Sequence, residues 1–231
     1  MVKRYPTPYP DVNEILNTLL TSVRDVLGDR FAGMYLFGSL ANGDFDKDSD
    51  IDVLMVTNAE ISEDTFAALK EMHKHMAGTN SPWAIQVEVS YIPRKALRHF
   101  DTADMRHPHL DRGSNEELHM MDHANDWIIQ RYIVRERGVI LSGPNPKTLI
   151  EPVSPDDLRQ AVVDVLPLWF NPILEDPLQI NKRGYQSFFM LSICRMFYTL
   201  KYGEIVSKKF AAKWAKENLD ILKKETSVSI P

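Results

Sequence analysis

Hydrophobic positions in the first part of the chain alternate between helix-like and strand-like spacing. Over residues 11–27, apolar side chains recur every three or four positions, and Gly28 follows as a helix stop. Three runs rich in β-branched and aromatic residues come next, and a helical stretch precedes the third of them. This pattern predicts a sheet with helices packed on it. The predicted strands are 31–37, 51–57 and 85–92, and the predicted helix before the last strand is 62–76.

The remainder of the chain has mostly helical spacing. Residues 116–137 are predicted as one long helix closed by Gly138, followed by a short strand at 139–141. The strand leads into a Ser-Gly-Pro-Asn-Pro run, and we place a domain boundary there. The sequence therefore predicts an α/β domain at 1–145 and a helical domain at 146–231.

The helical domain carries clear start signals. Ser154 precedes a proline and two aspartates, which together favour a helix N-terminus because a cap, a first-turn proline and acidic side chains all suit its positive end. Two further helices are predicted over 181–202 and 207–219. The fold class is therefore α+β, with a mixed sheet and flanking helices followed by a helical bundle.

Composition narrows the class of function. Lys and Arg total 27 against 32 for Asp and Glu, and this net charge of -5 is a poor match to a nucleic-acid-binding protein. The single cysteine, Cys194, excludes an internal disulfide framework. The N-terminus lacks the apolar core of a signal peptide, and no apolar run is long enough to span a bilayer. We expect a cytoplasmic protein with neither nucleic acid nor a membrane as partner.

The segment between the first two predicted strands carries the chemistry. Asp50 and Asp52 are two residues apart at a strand start, so both carboxylates point to the same face. Paired carboxylate oxygens suit Mg²⁺, which proteins usually hold together with substrate phosphates. Gly38 and Ser39 follow the first strand, where a glycine allows close approach and backbone N–H groups and a hydroxyl can contact a phosphate.

A third carboxylate lies on the third predicted strand. Residues 85–92 alternate strictly, which places Glu88 on the face opposite the apolar side chains Val87 and Val89. If this strand pairs with the second, Glu88 stands beside the two aspartates. Glu88 is then a candidate metal ligand and a candidate base for an acceptor hydroxyl.

These residues carry a resemblance to the nucleotidyltransferase superfamily, whose signature is a Gly-Ser pair, an Asp-x-Asp at this spacing and a later acidic residue. More closely, the chain resembles the streptomycin/spectinomycin adenylyltransferases from about Arg30 to Leu219, through FGSLANGDFDKDSDIDVLMV, VEVSYI, VILSGP and CRMFYTLKYGEIVSKKFAAKWA. The resemblance implies a polymerase-β-like nucleotidyltransferase fold. It also implies AMP transfer from ATP with Mg²⁺ to a small-molecule acceptor, expected to be an aminoglycoside or aminocyclitol.

Residue roles carry over position by position. The resemblance implies that Asp50 and Asp52 bind the metal, Ser39 contacts phosphate and Glu88 is the base. It also implies nucleotide contacts by Arg195 and Lys208 in the helical domain. The residues support Arg195 independently, because its helix is apolar nearly all round and an arginine there needs an anionic partner. Where relatives that modify streptomycin carry an aspartate, ten residues before this arginine, the chain has Tyr185.

Alternatives remain open at this stage. One alternative acceptor is a protein. Another alternative is that the chain binds ATP without transferring anything, although binding alone does not require a base at Glu88. The polar stretch 104–112 is either a solvated linker or the lining of an acceptor site. His119 and His123 are four residues apart on one face of the predicted helix 116–137. This spacing is compatible with a metal site, but histidines at a surface or between domains are the favoured interpretation.

Overall fold

The computed structural model describes residues 6–46, 49–124, 126–176 and 183–219. The nine α-helices found in these ranges are α1 (Pro10–Leu27), α2 (Gly38–Asn42), α3 (Glu63–Ala77), α4 (Arg94–Arg98), α5 (Asp126–Arg137), α6 (Pro146–Leu149), α7 (Pro155–Glu175), α8 (Arg183–Tyr202) and α9 (Lys208–Asn218). The strands are β1 (Phe31–Leu36), β2 (Ile51–Thr57), β3 (Val87–Pro93), β4 (Arg106–Leu110), β5 (His119–Asp122) and β6 (Val139–Ser142).

The strands form one mixed sheet in the order β5-β4-β3-β2-β1-β6. Only β2 and β3 run parallel, and the other neighbouring pairs are antiparallel. The crossover between the parallel strands contains α3, as a parallel connection requires. The predicted fold class, a mixed sheet with helices followed by a helical region, is confirmed.

One face of the sheet packs against α1 and α3. Ile51, Val53 and Met55 of β2 lie beside Val87 and its alternate neighbours on β3, and all of them are buried in one apolar cluster with the inner faces of the two helices. Alternation turns Asp52 and Glu88 to the other face. Burial of the apolar face therefore fixes which side of the sheet presents the carboxylates.

Serine side chains cap three of the helices. Ser62 and Ser207 cap α3 and α9 by accepting hydrogen bonds from Thr65 and Phe210. The hydroxyl of Ser154 accepts a hydrogen bond from the Asp157 N–H at 3.1 Å, at the start of α7. The predicted helix over 181–202 is observed from Arg183, and residues 181 and 182 lie outside the described residues.

Three predicted elements need correction. The strand predicted over 85–92 starts at Val87, because Ala84–Gln86 forms a single 3-10 turn. Residues 116–137 are not one helix: His119–Asp122 is strand β5, and only Asp126–Arg137 is helical. The polar stretch 104–112 is not a linker either, since it contains β4. Backbone pairing of β4 with β3 and β5 overrides the helical spacing read in the sequence.

The described residues divide into two compact units. One contains the residues up to Ala124 together with Arg131–Pro152, and the other contains those of Asn125–Gln130 and those from Val153 onward. The first unit holds the sheet, and the second holds α7, α8, α9 and the first turn of α5. The predicted domain boundary after residue 145 stays a prediction.

Candidate active site

Parallel pairing of β2 with β3 brings the predicted carboxylates together. The register places Asp52 directly opposite Glu88, and Asp50 lies one residue before β2. One carboxylate oxygen from each of Asp50, Asp52 and Glu88 can be chosen so that all lie within 4.8 Å of one another, and all three residues are partly buried. Such a set of hard oxygen donors fits a small divalent cation.

The Gly-Ser turn is packed against the same carboxylates. The Phe37 N–H donates to the Asp52 carbonyl at 3.1 Å, which fixes the end of β1 beside the start of β2. Gly38 has φ +67°, and a Cβ there would lie 1.8 Å from Oδ2 of Asp52. A glycine is therefore required by both backbone conformation and space.

The side chain of Ser39 lies next to this turn. Its Oγ is buried and has no hydrogen-bond partner among the described residues. A buried hydroxyl without a partner is costly, so a ligand that supplies an acceptor there would be stabilised. This observation is consistent with the phosphate contact predicted for Ser39, which stays a prediction.

A cation from the β4–β5 hairpin reaches the carboxylates. Nη1 of Arg112 lies 3.8 Å from Oδ2 of Asp50, and both side chains are partly exposed. From the sequence, residues 104–112 are predicted only as a linker or as the lining of an acceptor site. No local pattern indicates that Arg112 lies beside Asp50, because that contact depends on β4 pairing with β3.

Histidines fill the interior of the same hairpin. His107, His109 and His123 are buried, and the ring centroids of His109 and His123 are 5.9 Å apart. Nδ1 of His109 lies 2.9 Å from Oγ of Ser90, on β3. Burial, together with the neighbouring His109 and His107, lowers the pKa of His123 to about 3. Burial also lowers the pKa of His109, against the opposing effect of Asp111.

The predicted helical face that carries His119 and His123 does not exist, since His119 is on β5 and His123 follows it. Within the described ranges, the one group of three or more side chains whose ligand atoms converge is that of Asp50, Asp52 and Glu88. The histidines are therefore not arranged as a metal site. Apart from the spacing of His107 and His109 on β4, no local pattern in the sequence indicates that these rings share one interior.

Arg195 and Lys208 belong to the second compact unit. Arg195 lies on α8 and is partly buried, and its carbonyl accepts a hydrogen bond from the Thr199 hydroxyl at 3.0 Å. Lys208 is the first residue of α9, and its Nζ lies 3.8 Å from the centre of the Phe188 ring. Phe188 is seven residues, or about two helical turns, before Arg195, so the two residues lie on the same face of α8. Their predicted contacts with nucleotide stay predictions. In the part of the chain that the structure describes, no helix combines the length and the apolar composition of a membrane span.

Family comparisons agree with this geometry. The nucleotidyltransferase domain model matches residues 17–104, which contain the Gly-Ser turn and all three carboxylates. Residues 17–104 are therefore a nucleotidyltransferase domain. A second family model, for the C-terminal domain of aminoglycoside adenylyltransferases, matches residues 148–224. The resemblance read from the sequence is confirmed, and the chain is an enzyme, a nucleotidyltransferase.

Curated relatives and a solved structure extend the comparison. A spectinomycin 9-adenylyltransferase of Staphylococcus aureus is 29% identical over 213 residues, covering 88% of this nucleotidyltransferase and 77% of the relative. An aminoglycoside (3'') (9) adenylyltransferase of Shigella flexneri is 24% identical over 224 residues, covering 90% and 80%. The crystal structure of spectinomycin adenyltransferase AAD(9) from Enterococcus faecialis, with ATP and spectinomycin, superposes with a TM-score of 0.69 at 17% identity. It covers 94% of this chain and 91% of that one. At this identity the structural likeness supports the fold.

Proposed function

We propose that this enzyme transfers AMP from ATP to a hydroxyl group of an aminoglycoside or aminocyclitol such as spectinomycin or streptomycin. The observation that carries the proposal is the convergence of Asp50, Asp52 and Glu88 within 4.8 Å. The relatives named as spectinomycin and aminoglycoside adenylyltransferases supply the class of acceptor.

The carboxylates fit a magnesium ion. Mg²⁺ prefers oxygen ligands and is commonly held by one or two carboxylates together with substrate phosphates. Asp50 and Asp52 would hold it here, and Glu88 would complete the acidic group. When bound, the ion would supply positive charge to the triphosphate.

Glu88 is placed to handle the proton of the acceptor. In the proposed reaction, the acceptor hydroxyl oxygen forms a bond to the α-phosphorus of ATP. The bond from that phosphorus to the oxygen that bridges the α- and β-phosphorus atoms breaks. Pyrophosphate leaves with the electron pair, and the hydroxyl proton passes to a carboxylate oxygen of Glu88. The register that sets Glu88 opposite Asp52 supports this role, because base and metal ligands then share one face of the sheet.

The remaining predicted residues would bind the nucleotide. Gly38 brings its backbone against Asp52, and Ser39 offers a buried hydroxyl, so the turn would receive a phosphate beside the metal ligands. Arg195 and Lys208 are proposed as further phosphate contacts from the resemblance and from the preference of a partly buried guanidinium for an anionic partner. ATP and a small-molecule acceptor are thus the proposed partners.

The test is release of pyrophosphate from Mg-ATP in the presence of spectinomycin, streptomycin or other aminoglycosides. We expect release that depends on one of these acceptors, with Asp52→Asn and Glu88→Gln each reducing the rate at least ~1000-fold. Asp122→Asn is the matched control, because Asp122 is an exposed carboxylate at the outer strand of the same sheet. Measurable Mg-ATP binding without release for any antibiotic would contradict the proposal, and so would full activity of Asp52→Asn.

A further inference from the structure

The free enzyme concentrates negative charge where its substrate must bind. Carboxylate oxygens of Asp50, Asp52 and Glu88 lie within 4.8 Å of one another. Like charges at this separation repel, so the group favours a nearby positive charge. The β4–β5 hairpin provides one, since Nη1 of Arg112 lies 3.8 Å from Oδ2 of Asp50. A guanidinium remains charged over the whole working pH range of a protein.

Both neighbours of Arg112 along the chain make contacts that hold them in place. On one side, the Asp111 carboxylate lies 3.4 Å from Nε2 of His109 and 3.7 Å from Nε2 of His119. His109 is in turn within hydrogen-bond distance of Ser90 on β3. On the other side, the Gly113 N–H donates to the Ile85 carbonyl at 2.8 Å, just before β3. The hairpin therefore presents Arg112 to the carboxylates from a fixed position rather than from a freely moving loop.

We propose that Arg112 is a positioning residue that compensates the negative charge of Asp50 in the free enzyme. Its ion pair with Asp50 breaks when metal binds together with nucleotide. A guanidinium beside a ligand oxygen repels an arriving divalent cation and competes for the same lone pairs. The free enzyme consequently binds divalent metal weakly. The nucleotide triphosphate adds the negative charge needed for metal to displace Arg112, so metal and nucleotide are loaded together. This inference rests on the metal site of the proposed function.

Mn²⁺ titration of the nucleotide-free protein tests the proposal, with bound metal measured by the loss of the free Mn²⁺ electron paramagnetic resonance signal. We expect Arg112→Gln to bind Mn²⁺ roughly fivefold more tightly than the unaltered protein, the effect of removing one partly exposed ion pair. Arg106→Gln is the matched control. It removes an equal charge from the same hairpin, but Arg106 lies 4.0 Å from Asp122 rather than beside Asp50. We expect its Mn²⁺ affinity to be unchanged.

A second readout separates charge compensation from a merely structural role. Without metal, Arg112→Gln should melt at a lower temperature than the unaltered protein, because the carboxylates have lost a compensating charge. Saturating Mn²⁺ should close that gap. An arginine that only stabilises the hairpin would leave the same gap with and without metal.

Several outcomes would overturn the inference: unchanged Mn²⁺ affinity in Arg112→Gln, equal tightening in Arg106→Gln, or a melting difference that persists in Mn²⁺. Adding Asp52→Asn to Arg112→Gln must abolish the tightened binding, and binding that survives would place the metal elsewhere and also defeat the proposal. The titration contains neither nucleotide nor antibiotic. Failure to modify any antibiotic would therefore leave this result intact, and the two proposals can fail separately.

Discussion

Strands β2 and β3 lie beside the β4–β5 hairpin in one sheet, but the two regions differ in whether their polar side chains are buried. In β2 and β3, one face is packed into the apolar core, while Asp52 and Glu88 remain partly exposed on the other. The hairpin instead buries His107, His109 and His123 and exposes residues such as Met120. In β2 and β3, burial of the apolar face therefore leaves the carboxylates accessible on the opposite face. In the second region, the buried ring of His109 joins the hairpin to its neighbour β3 through Ser90.

Among the variants that test this comparison, the largest effect is expected at the turn packed on β2. Gly38→Ala should reduce pyrophosphate release roughly a hundredfold or more, because the new Cβ would meet Oδ2 of Asp52 and displace this proposed metal ligand by an ångström or so. Gly43→Ala is a matched control, since Gly43 has a similar φ of +76° but no atom within 4 Å of an added Cβ. It should cost about 1 kcal/mol of stability from backbone strain and little activity. Equal losses of activity in the two variants would show that strain, not the contact with Asp52, matters.

A smaller effect is expected from the buried histidines, as a dependence of stability on pH. The pKa of His123 is lowered from 6.5 to about 3, so between these values the unfolded chain binds a proton that the folded protein does not. This contribution to stability is fully present above pH 6.5 and is lost as the pH falls towards 3. His73, with its pKa lowered by burial to about 4, acts in the same direction.

The measurement is urea unfolding of His123→Asn at several values between pH 7.5 and pH 4.5. The free energy of unfolding should fall with acidification in both proteins. We expect the fall per pH unit to be smaller in His123→Asn than in the unaltered protein, by roughly 1 kcal/mol. His119→Asn, an exposed histidine of β5, should keep the original slope. An identical slope in all three proteins would mean that His123 titrates normally and that the hairpin interior is open to water.

The smallest effect is expected at the surface of the hairpin. Asp122→Asn removes an ion pair with Arg106 in which both side chains are about 70% exposed. The free energy of unfolding should change by less than ~0.5 kcal/mol, because water and salt screen such pairs. A loss as large as that of a buried histidine would indicate that surface charge, rather than the polar interior, holds β4 and β5 together.

Local pattern was sufficient where only one secondary structure suited the residues. The alternation around Glu88 and the apolar run after Asp50 predicted β2 and most of β3. The helices predicted over 62–76 and 207–219 are observed as α3 and α9, each within a residue or so of the predicted bounds. The same reasoning misread residues 116–124, where His119 and His123 have helical spacing. A short, largely exposed strand such as β5 has little apolar periodicity of its own, so its conformation depends on pairing with β4.

The sequence by itself determined the fold class, the resemblance to nucleotidyltransferases and the three candidate carboxylates, because the Gly-Ser turn, the Asp-x-Asp and strand alternation depend on side chains only a few residues apart. Tertiary structure alone decided that Asp52 lies opposite Glu88, that Gly38 packs on Asp52 and that Arg112 reaches Asp50. Each of these contacts joins segments distant in the chain. Their geometry follows from strand order and register, which local residue preferences do not specify.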